Sequence, residues 1–164
     1  MKLINSMGPN PKVVRMFIAE LGMSVDLEEV DLMKAENRGE AYVAKNASGT
    51  TPALELDDGS YLCEIVAICE YLDEISDASS LIGNTAAERA EARMWSRRVD
   101  LNILEPLTNG FRYSEGQAIF KDRMRLIPQA ADDLKALAQE KITWLDGLME
   151  GKEFVCGSRF TLAD

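Results

Sequence analysis

Apolar positions in the first half of the chain switch between short continuous runs and a helical stripe. Residues 2–5 and 25–32 are typical of strands, the second with an acidic outer face. Between them, five apolar side chains recur at the spacing of one helix face: Val13, Val14, Phe17, Ile18 and Leu21. A strand, a helix and a strand in this order predict a βαβ unit with parallel strands and a right-handed crossover.

A hairpin and a second helix follow. The apolar run at residues 53–56 is succeeded by Asp58-Gly59, a pair that favours positive φ in a tight turn, and then by a returning strand at residues 60–63. Helical spacing resumes immediately afterwards, at Ile65, Ile68, Cys69, Leu72 and Ile75. With a short, irregular helix expected at residues 38–45, the first half has the order βαβαββα.

Glu64 stands at the head of this second helix. A helix N-terminus offers free N–H groups that favour a carboxylate, and the Glu64 side chain can take an ammonium group. The pattern therefore suits a small zwitterion. The alternative is an acidic residue that only complements the helix dipole.

The first helix has its own start and stop signals. Asn10 can cap it, and Pro11 fits the first helical position because its missing N–H is not needed there. Gly22 occupies the place where a left-handed residue commonly ends a helix.

The second half lacks strand signals. After a predicted linker at residues 76–84, Thr85 and Glu88 form a capping box that opens a helical segment to about residue 110. A second helical stretch is expected at residues 117–149, with a break at Pro128. Its inner stripe would consist of Leu134, Leu137, Ala138, Leu145 and Leu148. We therefore expect an α/β domain at residues 1–78 and an all-α domain at residues 85–164.

Thr161 and Asp164 form another helix-start signal at the end of the sequence. Phe160 precedes this box, where it would pack against an apolar residue in the first helical turn. The expectation is a chain that continues into a further helix, and the alternative is a polar tail.

Composition excludes several classes of function. The net charge of −10 disfavours nucleic acid and anionic membranes as partners. The sequence has no histidine, which removes Ser-His-Asp hydrolysis, Cys-His chemistry and His-ligated metal sites. Three cysteines without metal-like spacing are typical of a reducing cytoplasm, and Cys63 and Cys69 are interpreted as core thiols. We expect no metal, no cofactor and no membrane-spanning segment.

The ordered motifs resemble those of cytosolic glutathione S-transferases of bacterial type. They are the Pro-Asn-Pro-Lys-Val-Val-Arg helix start at residues 9–15, Asn46-x-x-Gly49-x-Thr51-Pro52, Leu62-Cys63-Glu64, Arg93-Met94-Trp95 and the segment from Gly157 to Asp164. The resemblance covers the whole chain and implies a thioredoxin-like first domain, an all-helical second domain lacking its last helices, and a homodimer. It also implies a cytoplasmic detoxification enzyme that uses glutathione as co-substrate and conjugates its thiol to an electrophile.

Family roles carry over to individual positions. Thr51 matches the residue whose backbone pairs with the cysteinyl part of glutathione, and Pro52 matches the cis-proline that follows it. Glu64 matches the acid that holds the γ-glutamyl group. Asn37 lies near the position that contacts the glycyl end.

Two positions depart from the family pattern. Ile65 replaces the usual Ser after the acid, so only its backbone N–H can meet the γ-glutamyl carboxylate. Gly8 stands where relatives carry a thiol-activating hydroxyl, which leaves Asn10 and Ser6 as candidate catalytic residues. Asn10 could instead be a plain N-cap, and Ser6 a loop residue.

Three functions therefore remain open at this point. The first is glutathione conjugation. The second is reduction of disulfides or peroxides by glutathione, which Asn10 favours because it matches the Asn of bacterial relatives that act on disulfides. The third is a non-enzymatic binding module, which the departures at Ile65 and Gly8 make plausible.

Overall fold

The computed structural model describes residues 1–78 and 80–164. The chain forms two compact units, Met1–Ile82 and Gly83–Asp164. The predicted linker spans the boundary between them, and Ser79 within it lies outside the described residues.

The first unit is built on a four-stranded sheet with the order β2-β1-β3-β4. The strands are β1 (Lys2–Asn5), β2 (Asp26–Glu29), β3 (Ala53–Glu55) and β4 (Tyr61–Cys63). β1 and β2 are parallel, as the βαβ pattern predicts, whereas β3 runs antiparallel to both β1 and β4. β2 is shorter than the predicted strand at residues 25–32.

Helices connect these strands in the predicted order. They are α1 (Pro9–Glu20), a 3-10 turn (Glu36–Arg38) with α2 (Glu40–Val43), and α3 (Ile65–Ile75). The observed order βαβαββα confirms a thioredoxin-like unit.

The core of this unit joins the sheet to α1 and α3. Its fully buried side chains include Leu3, Ile4, Val14, Leu54, Ile68 and Leu72. Two predicted core positions are wrong: Val13 and Ile75 are 38% and 45% exposed, because each lies at the margin of its helix stripe.

The start of α1 differs from the prediction. The helix begins at Pro9, with Gly8 as the N-cap, so Asn10 lies inside the first turn and is not the cap. Pro9 accounts for this shift, because its fixed φ suits the first helical position. Gly8 provides the flexible backbone before it, at φ 147°. Gly22 ends the helix at φ 64°, as predicted.

The hairpin turn also differs in detail. Of Asp58 and Gly59, only Gly59 has positive φ, at 83°. The Gly59 N–H donates to the Leu56 carbonyl at 3.0 Å, and the Leu56 N–H donates to the Ser60 carbonyl at 2.9 Å. The loop therefore has three residues and ends in a left-handed glycine, an arrangement that also preserves the twist of the strands.

The second unit is helical. Its elements are α4 (Ala86–Val99), a π-helical turn (Asp100–Leu104), α5 (Glu105–Tyr113), α6 (Gln117–Phe120), a 3-10 turn (Pro128–Ala130) and α7 (Ala131–Leu148). The predicted capping box is present: the Glu88 N–H donates to Thr85 Oγ1 at 3.2 Å, and the Thr85 N–H donates to the Glu88 carboxylate at 3.1 Å. In the described part of the chain, no helix combines the length and the apolar character needed to span a bilayer.

The predicted helical stretch at residues 117–149 is only partly helical. α6 ends at Phe120, and α7 begins after Pro128, which cannot sit in a helix interior. Within α7, Ala138 is fully buried, whereas Leu137 and Leu148 are 50% and 38% exposed. These two positions of the predicted inner stripe are therefore wrong.

The segment after α7 places Thr161 and Asp164 in contact. The Thr161 N–H donates to the Asp164 carboxylate at 2.8 Å, and the Val155 N–H donates to the same carboxylate at 2.7 Å. Phe160 packs edge-on against Phe154, with ring centroids 5.4 Å apart. The polar part of the predicted helix-start signal is thus formed.

Candidate functional site

Strand register brings three of the predicted site segments to one end of the sheet. Ile4 lies opposite Ala53, and Ala53 lies opposite Cys63, in adjacent strands. Just beyond this row, Ser6 follows Ile4 by two residues, Thr51-Pro52 immediately precedes Ala53, and Glu64 immediately follows Cys63. The pairing thus places the end of β1, the start of β3 and the head of α3 beside one another.

Thr51 is buried and belongs to a loop that is fixed from one side by polar side chains. The Tyr42 hydroxyl donates to the Thr50 carbonyl at 2.5 Å, and Asn46 Nδ2 donates to the same oxygen at 2.8 Å. The Thr51-Pro52 peptide bond is cis, as the resemblance implies. Sequence reasoning gave Tyr42 and Asn46 no role, although their spacing of four residues at the end of α2 places them on one side of it.

Ser6 fixes Thr51 from the other side. Its side chain is 1% exposed, and its Oγ lies 2.6 Å from Thr51 Oγ1 in a hydrogen bond that either hydroxyl can donate. Ser6 is therefore buried against the loop, with its hydroxyl already engaged. As a thiol-activating residue it stays a prediction.

Asn37 is buried beneath the same loop. Its Nδ2 donates to the Gly49 carbonyl at 2.6 Å, and its Oδ1 is buried without a partner among the described residues. Because Oδ1 is an acceptor, it can receive an N–H but cannot bind a carboxylate. Because Oδ1 is buried, Asn37 acts in this structure on the loop at Gly49, and its contact with the glycyl end of glutathione stays a prediction.

Glu64 is exposed at the N-cap of α3, where it has φ 72° and ψ 132°. Positive φ is costly for a residue with a β-carbon and is concentrated at functional sites. The first intrahelical bond of α3 is from the Ile68 N–H to the Glu64 carbonyl, at 3.0 Å. The preceding N–H groups, including that of Ile65, have no partner within the helix and can meet an anion.

The start of α1 offers a restricted set of donors. The first four backbone groups of a helix lack intrahelical acceptors, and in α1 two of them belong to Pro9 and Pro11, which have no N–H. The remaining donors are the N–H groups of Gly8 and Asn10, together with the exposed Asn10 side chain. Met7, in the same loop, is 89% exposed and adds apolar surface beside these donors.

The cysteines do not form a reactive pair. Burial raises the pKa of the Cys69 thiol to about 12. Burial, and then the charge of Glu64, raises the pKa of Cys63. All three cysteines are free. The interpretation as an unpaired core thiol agrees with the structure for Cys69, whereas Cys63 is only partly buried.

Burial also raises the pKa of Tyr42 to about 12. The Tyr42 hydroxyl therefore remains a protonated donor to the Thr50 carbonyl through the neutral range.

Other concavities lie away from these residues. A groove of about 230 Å³ between α1 and β2 is lined by Arg15, Ile18, Met23, Ser24, Val25 and Leu27. Among the described residues, no cluster of three or more Cys, Asp and Glu side chains is placed to hold a metal ion.

Comparisons with known proteins agree with this geometry. The family model described as "Glutathione S-transferase, N-terminal domain" matches residues 8–75. Glutathione S-transferase 2 of Saccharomyces cerevisiae is 31% identical over 96% of this chain and 68% of its own length. Glutathione S-transferase GstA of Escherichia coli O157:H7 is 30% identical over 100% of this chain and 77% of its own length.

A solved structure is similar over the whole chain. The crystal structure of a glutathione S-transferase domain-containing protein from Marinobacter aquaeolei VT8 superimposes with a TM-score of 0.93 at 34% identity, and the match covers 100% of this chain and 82% of that one. The likeness includes both the thioredoxin-like unit and the helical unit. The chain therefore belongs to the glutathione S-transferase family, among relatives of bacterial and fungal type.

Proposed function

We propose that this chain binds glutathione and conjugates its thiol to an electrophilic substrate. The observation that carries the proposal is the strand register, which sets Thr51, Glu64 and the segment leading to α1 at one end of the sheet. These groups complement a cysteine-containing tripeptide that has a zwitterionic end. The family membership supports the same assignment.

Each part of the tripeptide has a matching group in this proposal. The Glu64 carboxylate takes the γ-glutamyl ammonium, while the Ile65 N–H and its neighbours at the head of α3 take the γ-glutamyl carboxylate. The Thr51 backbone pairs with the cysteinyl residue in strand fashion, beside Pro52. Asn37, which the family resemblance places near the glycyl end, is assigned to that end through the loop that it holds at Gly49.

The start of α1 supplies the chemistry. A free thiol has a pKa of about 8.5, so a nearby donor and a helix N-terminus increase the thiolate fraction at neutral pH. The Asn10 side chain and N–H provide both. The thiol proton leaves to solvent, the sulfur forms a bond to the electrophilic carbon, and the leaving group departs with its electron pair.

Calorimetry with reduced glutathione tests the proposal directly. We expect saturable binding, followed by turnover of a chlorinated aromatic acceptor in a conjugation assay. Turnover of a glutathionylated disulfide instead would identify the reductase alternative, which Asn10 also suits. No binding at millimolar glutathione would overturn both enzymatic readings and leave the binding module.

The proposal also includes a homodimer, a cytoplasmic location and a role in removing electrophiles. These rest on family resemblance, and sedimentation of the purified chain measures the first of them.

Replacing Asn10 tests the thiolate donor. Asn10→Ala is expected to move the pH profile of kcat/KM upward by about one unit, because a hydrogen bond to the thiolate is lost. Asn10→Ser retains a side-chain donor and should keep most of the original profile. Superimposable profiles for the wild type and Asn10→Ala would exclude a role for this side chain.

Restoring the missing hydroxyl tests the departure at Ile65. Ile65→Ser is expected to tighten glutathione binding roughly tenfold, because a hydrogen bond to a charged group contributes about 1.5 kcal/mol or more. Ile65→Ala is the matched control, because it removes the same apolar side chain without adding a donor. Equal dissociation constants for the two variants, measured by calorimetry, would contradict this prediction.

A further inference from the structure

The hydrogen bond between Ser6 and Thr51 joins two parts of the proposed site that are 45 residues apart in sequence. Ser6 follows β1 and opens the loop that leads to α1, where Asn10 lies four residues later. Thr51 immediately precedes the Pro52-β3 segment, whose backbone is assigned to the cysteinyl residue. A single side-chain contact thus connects the loop that leads to Asn10 with the segment proposed to bind the cysteinyl residue.

The two hydroxyls that form this hydrogen bond are buried, although an apolar pair would also fit. Ser6 and Thr51 are 1% and 9% exposed, so each hydroxyl forms a hydrogen bond with the other in place of hydrogen bonds with water. Valine has nearly the shape of threonine and alanine nearly that of serine, so an apolar pair would fill the same space. The hydroxyl pair adds a directional bond that an apolar pair lacks.

Other contacts fix the residues on either side of Thr51. Tyr42 and Asn46 hold the carbonyl of Thr50, which fixes the loop on the side of α2. β3 is fixed to β1 by pairing that begins at Ala53, opposite Ile4. Thr51 lies between Thr50 and the start of β3, and the hydrogen bond of its side chain to Ser6 connects it to the loop between β1 and α1.

We propose that Ser6 is a positioning residue, whose bond to Thr51 sets the cysteinyl-binding backbone relative to the thiolate-stabilising start of α1. This inference rests on the proposed function and goes beyond it by assigning Ser6 to act through Thr51 and not on the sulfur. Reaction rates are sensitive to such placement, because small displacements of reacting groups are costly.

A double-mutant cycle separates positioning from stability. Ser6→Ala and Thr51→Val each leave one buried hydroxyl without its partner, so both are expected to lower the unfolding temperature. The double variant removes both hydroxyls, and its unfolding temperature should recover toward that of the wild type. Its kcat/KM for glutathione should nevertheless remain about tenfold low, with an upward shift in its pH profile, because the register between the two segments is lost.

Val14→Ala is the control for instability alone. Val14 is fully buried on α1 and outside the site, so this variant should lower the unfolding temperature and leave kcat/KM unchanged below it. Recovery of both stability and kcat/KM in the double variant would overturn the positioning role while leaving the proposed function intact. Absence of glutathione binding by the wild-type chain would overturn both.

Discussion

Glu64→Ala is expected to weaken glutathione binding roughly 10- to 100-fold, since a charge-assisted hydrogen bond contributes about 1.5–3 kcal/mol. Glu64 is exposed at the head of α3, so its side chain supports little of the fold and is free to contact a ligand. Alanine has the same preference against positive φ as glutamate, so the substitution removes the carboxylate without relaxing the backbone. Calorimetry with reduced glutathione measures the effect.

Two further substitutions define the cause. Glu64→Gln keeps the shape and one acceptor but removes the charge, so an intermediate loss of affinity is expected. Glu74→Ala removes an exposed carboxylate from the far end of α3 and should leave affinity unchanged. If Glu64→Ala and Glu74→Ala bind glutathione equally well, Glu64 does not hold the γ-glutamyl ammonium.

Gly110→Ala is expected to destabilise the helical unit by about 1–3 kcal/mol through overpacking. Gly110 is buried on α5, where a β-carbon would lie 2.7 Å from Lys135 Cγ and 3.2 Å from the Ala131 carbonyl oxygen on α7. The lysine side chain can move, but the backbone oxygen can yield only if the two helices separate. Denaturant unfolding followed by circular dichroism measures the loss.

Gly147→Ala provides the opposite outcome in the same unit. Gly147 lies in α7, and a β-carbon there would meet no atom within 4 Å. Alanine is favoured over glycine in an open helix position by about 0.5–1 kcal/mol, so this variant should be more stable than the wild type. Equal stability changes for the two variants would show that α5 and α7 do not approach closely at Gly110.

The first unit could be predicted closely because its local signals agree with its tertiary structure. The parallel strands follow from the βαβ pattern, and Gly22 and Gly59 adopt the positive φ that their positions require. The start of α1 was misplaced because Pro9 and Pro11 both fit a first turn, and only the fold decides between them. Asn10 therefore lies in the first helical turn and not at the predicted cap position.

The second unit was less predictable for a physical reason. Residues 121–127 have the apolar content of a helix but lie between α6 and the turn at Pro128. Leu137 and Leu148 fit a helix stripe by spacing, yet exposure depends on which neighbours cover that face. Periodicity reports which residues share a face and not how much of the face is buried.

The residues of the candidate site could be predicted from the sequence, but the hydrogen bonds between them could not. The order of the motifs identified Thr51, Pro52 and Glu64, and the strand register brings the segments that contain them to one end of the sheet. The bond between Ser6 and Thr51 spans 45 residues, and no local pattern encodes such a contact. Tyr42 and Asn46 lie within eight residues of Thr50, but their shared acceptor is a backbone oxygen, which side-chain patterns do not reveal.

The acidic strand β2 has a consequence for self-association. It lies at an edge of the sheet, where unpaired backbone groups could recruit the same strand of another molecule. Three of its four side chains are carboxylates, at Asp26, Glu28 and Glu29. Glu28 is paired with Lys2 and Lys45, but edge-to-edge pairing would still bring the Asp26 and Glu29 carboxylates of two molecules close together. We therefore expect electrostatic repulsion to oppose pairing through β2. Screening of these charges by salt would weaken that protection and promote aggregation through this border.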